Sequence, residues 1–491
     1  MISPRFITAL LLLLSLVSPL AAQEPPKAED EEPKIDIEAL LAQQHKAIEE
    51  YVAAMEELAA WADKNDIFAC RNRVYEDLIL YRPEHRVARQ TLRFHKKRDG
   101  TWERRGGRPP RDHEEDLIPE FEARFSPLGE KLHAALIAAL KASEGAGVKE
   151  RETLTVEILK GFPDDATARD VRGEAKRDGK WLLKETVAAI ARRDELATAA
   201  QEAIEAVAEP KPVDLDDIEK NLGVDMVGAW KGVWWRASGS TDEDEVLGTL
   251  TVMDASHPFF DYTFGLKTAA PHGCGFYLLS GKDEAKTVLT NHPLIPESKR
   301  NFYLGLRAGW IPGKRVFFHW SDSATVRLDG SVRMALGIMI LRNFSVNTNR
   351  GWVWEGLGLY MDYHLTGGHR TIFVTPEMKT TTKRRTPFDI ETRMKKPGAD
   401  WVQLAFDLVE ANAEPEIQPM TKRKVNELDP EDLVYGYALV AYLVEGHPTR
   451  ATEFFSKHGV DQPIEETIES VFDWPLDYFI ERYHRWLHEI N

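Results

Sequence analysis

The stretch 351-GWVWEGLGLYMDY-363 poses the question on which the C-terminal half of this 491-residue chain turns. Trp352, Glu355, Gly356 and Tyr360 follow the spacing W-x-x-E-G-x-x-x-Y, and residues 351–364 read as a helix. Glu355 is a carboxylate in an otherwise apolar run. A carboxylate in a core must pair with a cation, bind a metal, or stay protonated. What Glu355 meets therefore decides what this helix is for.

The surroundings narrow the choice. Strands are predicted at 275–280 (GFYLLS) and 314–320 (KRVFFHW), and a helix at 332–343 within 332-VRMALGIMILRNF-344. Further helices follow at 400–411, 430–446, 450–458, 463–471 and 474–489, carrying 435-YGYALVAYLVEGH-447 and 472-FDWPLDYFIERYHRWL-487. From about Gly275 onward this order of elements resembles the catalytic domain of the gluzincin (peptidase MA-like) metallopeptidases. There, a helix bearing H-E-x-x-H precedes a second helix that begins W-x-x-E-G. The resemblance rests on Trp352, Glu355, Gly356, Leu357 and Tyr360, with Gly358 where alanine is usual. It implies that Glu355 stands at the position of a third zinc ligand. It also implies a cleft near Trp352, Tyr360, Met334, Ile338, His364, Tyr435 and Tyr437.

The other half of that site is missing. The best register sets Met334 to Ile338 over H-E-x-x-H, yet no histidine occurs between His319 and His364, and no glutamate between Glu297 and Glu355. A zincin holds Zn²⁺ with two imidazoles one helical turn apart and activates its water with the intervening carboxylate. Met334, Ile338 and Leu341 instead read as a core face at i, i+4 and i+7. Arg342 and Arg350 are the nearest cations expected to meet Glu355. Other ligand sets are poorer. Glu355/His364/His369 needs the chain to fold back over a Gly-Gly turn, and His484/His488 lie on an outer helix. His272 neighbours Cys274 only in sequence. The expectation is a catalytically inactive relative, without metal or cofactor, acting as a binding or scaffold module for an unknown protein or peptide. The alternatives are a metal-dependent hydrolase with atypical ligands and an exported structural or carbohydrate-associated protein.

Composition agrees with a folded chain of several domains: 43% of residues are hydrophobic and 13 are tryptophan, enough for real cores. A formal net charge of −17 disfavours nucleic acid and anionic membrane as partners. Residues 1–22 read as a signal peptide for export to the periplasm or beyond, with an apolar run too short to span a bilayer. No later segment reads as a membrane span. Cys70 and Cys274 allow one bridge or two separate buried thiols. The basic run 379-KTTTKRR-385 reads as a solvated loop.

Ahead of the C-terminal region lie an acidic linker (23–36), a helical region (37–208), a second linker (209–224) and a β-rich segment (225–270), with the peptidase-like domain at 271–491. Residues 225–239, 246–254 and 258–266 are read as short strands whose aromatics form core rather than a sugar platform. The helical region contains an internal echo. Residues 83-PEHRVARQTLRFHKKRDGTW-102 and 163-PDDATARDVRGEAKRDGKW-181 share P-x-x-x-x-A-R and R-D-G-x-W, and a helix precedes each, at 66–81 and 149–161. This resembles tetratricopeptide-like hairpins, with each proline in a helix first turn and each Asp-Gly ending a helix. The fold class expected is multidomain α+β, with helical hairpins first, a small β-rich segment next, and a mostly helical zincin-like domain last.

Overall fold

The computed structural model describes residues 35–107, 110–268, 274–311, 316–346, 349–370 and 389–491. The leader 1–22, the linker to residue 34, His272 and the basic run 379–385 lie outside the described residues. The structure is a helix-rich mixed α/β protein. It divides into two compact units, Met1–Pro163 and Asp164–Asn491. The boundary falls inside the stretch read from sequence as one helical region. No helix among the described residues is long and apolar enough to cross a membrane.

The first unit contains α1 (Ile37–Lys64), α2 (Phe68–Tyr81), α3 (Arg86–Thr91), β1 (Phe94–Lys96), β2 (Trp102–Arg104), α4 (Ile118–Ala142) and α5 (Val148–Gly161). The Asp36 carboxylate accepts a hydrogen bond from the Ala39 N–H and starts α1. Ile48, Val52, Met55, Ala59 and Ala62 then recur every three or four residues and bury one face of α1, which packs on α2 and α4. The buried Gln44 amide donates to the carbonyls of Leu136 and Leu154, tying α1 to α4 and α5.

The echoed segment is a short helix followed by a β-hairpin, which corrects two expectations. Pro83 lies ahead of the His85 cap rather than in the first turn of α3, and Asp99-Gly100 turns the hairpin β1–β2 instead of ending a helix. The second copy, in the other unit, repeats this as α6 (Ala166–Val171), β3 (Glu174–Arg177) and β4 (Lys180–Leu183). Asp178 and Gly179 have φ of +50° and +79°. Two positive values in a two-residue loop match the twist of the flanking strands. Each tryptophan packs back on the corner before its helix: Trp102 donates to Glu84 at 3.0 Å, and Trp181 to Asp164 at 2.6 Å.

The second unit continues with α7 (Lys184–Glu205), β5 (Lys211–Val213), β6 (Gly228–Lys231), β7 (Arg236–Gly239), α8 (Glu243–Phe264), β8 (Gly275–Leu279), α9 (Lys282–Asn291), α10 (Glu297–Leu304), β9 (Ala308–Ile311) and β10 (Val316–Trp320). Then come α11 (Ala324–Phe344), α12 (Gly351–Thr366), α13 (Ile390–Met394), α14 (Trp401–Glu410), α15 (Ile417–Thr421), α16 (Pro430–Ala441), a π-helical turn Tyr442–Gly446, α17 (Pro448–Gly459), α18 (Ile464–Phe472) and α19 (Leu476–Ile490). Among the described residues six strands form one sheet in the order β5-β6-β7-β8-β10-β9, parallel across β7, β8 and β10 and antiparallel outside them. Phe276, Leu278 and Phe317 point to the large core shared with α8, α11 and α12. Tyr277, Leu279, Val316 and Phe318 point to a smaller core under α9 and α10. Covering both faces explains why these strands read as unbroken apolar runs.

The expected strands at 246–254 and 258–266 are one helix, α8. The Asp242 carboxylate accepts from the Glu245 N–H, and three acidic residues fill the first turn. Gly265, at φ +62°, ends the helix in the left-handed conformation. Val246, Leu250, Met253, Phe260 and Phe264 all face the core at helical spacing, so burial overrides the β propensity of the segment. The β-rich segment expected at 225–270 is thus two strands of the larger sheet plus this helix. Trp230 and Trp235 are buried in it, as a core role requires. Cys70 and Cys274 are both buried, and they form no disulfide.

Candidate functional site

α11 and α12 pack side by side, and the residue that α11 presents to Glu355 is Arg333. Its Nη2 donates to Glu355 Oε2 at 2.7 Å and its Nη1 to the Glu355 carbonyl at 3.3 Å. The two side chains are 1% and 0% exposed. Sequence reasoning expected Arg342 or Arg350 here. Arg342 is exposed at the end of α11, and Arg350 pairs with Asp461. The helix simply presents the residue before Met334, one position off the expected register.

Two glycines shape this contact. A Cβ on Gly358 would overlap the Arg333 guanidinium, so a glycine at this position is what admits the arginine. One turn beyond Arg333, a Cβ on Gly337 would fall 2.8 Å from the Trp354 ring. A side chain there is closed out by the indole.

Met334 and Ile338 are half-buried and pack against the margin of the main core, whereas Leu341, expected on the same face, is 46% exposed. Met334 lines a groove with Trp354 and the 424–427 turn. The core face of α11 is Leu336, Met339, Ile340 and Phe344.

A second polar layer continues the first. Asp329, one turn before Arg333, and Asp362, two turns after Glu355, are both fully buried. Burial, and then the Asp329 carboxylate, hold the Asp362 carboxyl well above its ordinary range, which favours the protonated acid at this position. The Arg370 N–H also donates to Asp329, at 3.2 Å.

The opposite side of α12 holds three of the expected cleft residues. Tyr360, His364 and Tyr437 line a cavity of about 230 Å³ with Arg193, His369, Trp401 and Glu445. Glu445 sits on the π-helical turn, accepts from the Tyr360 hydroxyl at 3.1 Å, and pairs with Arg193 at 2.9 Å. Burial pushes the Glu445 carboxyl up, opposed by the Arg193 guanidinium. Desolvation lowers the imidazoles of His364 to about 4 and His369 to about 3, so both are neutral at pH 7. His369 is stacked between Tyr363 and Trp401 at 4.8 and 4.5 Å.

The remaining candidates lie apart from this cavity. Trp352 donates its Nε1–H to His458 at 3.1 Å in the core. Tyr435 bonds His484 at 2.9 Å, and His488 pairs with Glu410 instead. Among the described residues no group of three or more His, Cys, Asp or Glu is arranged to hold a metal ion. A guanidinium stays charged and releases no proton. The Arg333–Glu355 arrangement therefore neutralises a buried charge and locks two helices without offering an acid, a base or an open coordination position. In sequence, the signal for it was an arginine and a glycine four residues apart in an apolar helix, facing a glutamate followed by Gly358. Comparison with protein-family models, curated proteins and solved structures finds no match for this chain.

Proposed function

We propose that this chain is an exported, non-catalytic binding or scaffold protein whose C-terminal unit derives from a gluzincin (peptidase MA-like) domain that replaced its metal with an arginine. The observation that carries the reading is the Arg333–Glu355 pair. The pair joins α11 to Glu355 of α12 through a fixed cation, and this supports reading the two helices as a metal site that lost its ligands. The guanidinium supplies the positive charge that Glu355 needs and none of the Lewis acidity that peptide hydrolysis needs. With the chemistry gone, what such a protein retains is surface for partners.

Metal content tests this. Protein purified in the presence of zinc should carry no more zinc than a protein known to lack a site. It should unfold at the same temperature with and without chelator, and it should leave peptide substrates intact. One chelator-removable zinc per chain, with peptide cleavage that chelation abolishes, would overturn the reading.

A further inference from the structure

The two copies of the helix–hairpin segment share a backbone register. Phe94 pairs with Arg104 as Glu174 pairs with Leu183, and Lys96 with Trp102 as Lys176 with Trp181. The Arg105 N–H bonds the Arg93 carbonyl just as the Lys184 N–H bonds that of Gly173. Arg93 and Gly173 even share φ, +62° and +63°. Each position of one copy therefore names its counterpart in the other.

In the second copy the corner between short helix and hairpin is occupied by α19. Arg482 donates to the Arg172 carbonyl at 2.9 Å and pairs with Glu185 at 2.6 Å. Arg485 pairs with Glu174 at 2.7 Å, and Glu489 accepts from the Leu183 N–H at 2.8 Å and the Thr186 hydroxyl at 2.7 Å. This corner is a helix-docking site.

In the first copy the same positions line an open groove of about 520 Å³, among them Leu92, Arg93, Arg104, Arg105, Gly106 and Gly107. Arg73 and Glu76 of α2 complete its charged lining, giving four arginines against one carboxylate in a chain of net charge −17. Arg104 pairs with Glu76, and Arg73 with Glu122 of α4. Arg93 and Arg105 have no carboxylate partner among the described residues. The carboxylates that receive α19 in the second copy, Glu174 and Glu185, are here Phe94 and Gly106. The polarity of the docking corner is reversed.

Arg93 shows that this reversal is built in. A left-handed backbone suits glycine, the residue of the other copy, and strains a long side chain. Strain kept against an available alternative points to a use for the side chain. Gly107 reinforces this, because a Cβ there would overlap the Arg93 guanidinium.

We propose that the groove bounded by Arg93, Arg104 and Arg105 is a docking site for an acidic helical segment of a partner protein, seated as α19 is seated on the second copy. Guanidinium forks recognise carboxylates through paired N–H donors, and the reversed polarity excludes a basic helix such as α19 itself. The inference does not depend on the loss of metal chemistry in the other unit.

The test uses the full chain and a fluorescein-labelled helix-forming peptide with glutamates at i, i+3, i+4 and i+7, against the same peptide with lysines. Fluorescence anisotropy should show saturable, salt-weakened binding of the glutamate peptide that the strongly acidic chain would otherwise repel. Arg93→Gly with Arg105→Ala should weaken it by at least about tenfold. Arg93→Gly alone should weaken binding while holding or raising the unfolding temperature, because glycine relieves the backbone; a merely structural arginine would lower it. No binding of the glutamate peptide, or binding indifferent to these substitutions, overturns the proposal. So does inorganic phosphate binding that needs the same arginines when the peptide does not bind. A chain lacking residues 23–34 that alone binds the peptide would show the groove to be filled by the chain's own acidic linker, and would overturn a separate partner.

Discussion

Two buried arginine–glutamate pairs sit in the unit Asp164–Asn491, and they do different work. Arg333–Glu355 joins consecutive helices and is shut off from solvent, with side chains 1% and 0% exposed. Arg482–Glu185 joins the last helix to the hairpin corner at 7% and 5%, and Arg482 also donates to the Arg172 carbonyl and the Tyr478 hydroxyl. The first is a polar contact inside a core, where losing one partner strands a charge. The second is an anchor between the last helix and a hairpin corner, with the Arg482 donors spread over a carboxylate, a carbonyl and a hydroxyl. The same chemistry is structural necessity in one place and docking in the other.

The sharpest way to break the comparison is to remove each cation. Arg333→Met strands Glu355 in the core and should cost about 3–5 kcal/mol in denaturant unfolding, lost cooperatively across the unit. Arg482→Met should cost less, about 2–3 kcal/mol, because that pair is less fully closed off from solvent. Its effect should concentrate in faster amide exchange of residues 166–183, with α11 and α12 still protected. Equal, global effects of the two would erase the distinction.

Gly358→Ala tests the shape of the inner site. The added methyl meets the guanidinium and should destabilise by about 1–3 kcal/mol, although alanine is the better helix former. A neutral or stabilising result would mean that Arg333 has room to spare. The smallest effect concerns the neighbouring layer. Asp362 is held above its ordinary range, so the folded state keeps a proton that the unfolded chain releases near pH 3.9. Stability is fully present below that pH and falls as pH rises toward the folded value. Asp362→Asn should match wild type near pH 3 and exceed it by about 1 kcal/mol at pH 7, with a flatter pH profile. A steeper profile in the variant would contradict a carboxyl held protonated at Asp362.

Much of this was legible in the residues. Helices with clear ends, such as α12, α14 and α19, lie within a residue or two of where the sequence puts them. α8 was missed because aromatic and β-branched residues read as strand, while its real signal was the Asp242 cap, the acidic first turn and the 3.6-residue spacing. The hairpins after α3 and α6 were missed because strands of three or four residues carry almost no pattern. For the site, the absence of histidines was certain from sequence, but the partner of Glu355 was not. Which face a wholly apolar helix turns inward depends on tertiary packing, and α11 turns Arg333 inward rather than Met334.

Whether Arg333 is what satisfies the buried Glu355 carboxylate is measured most directly by a double-mutant cycle. Arg333→Met, Glu355→Leu and the double variant are unfolded in denaturant alongside the wild type at pH 7. Each single change should be severe and the double change should recover much of the loss, a coupling of about 3 kcal/mol or more. Additive effects, with the double variant as unstable as the two single changes combined, would contradict it.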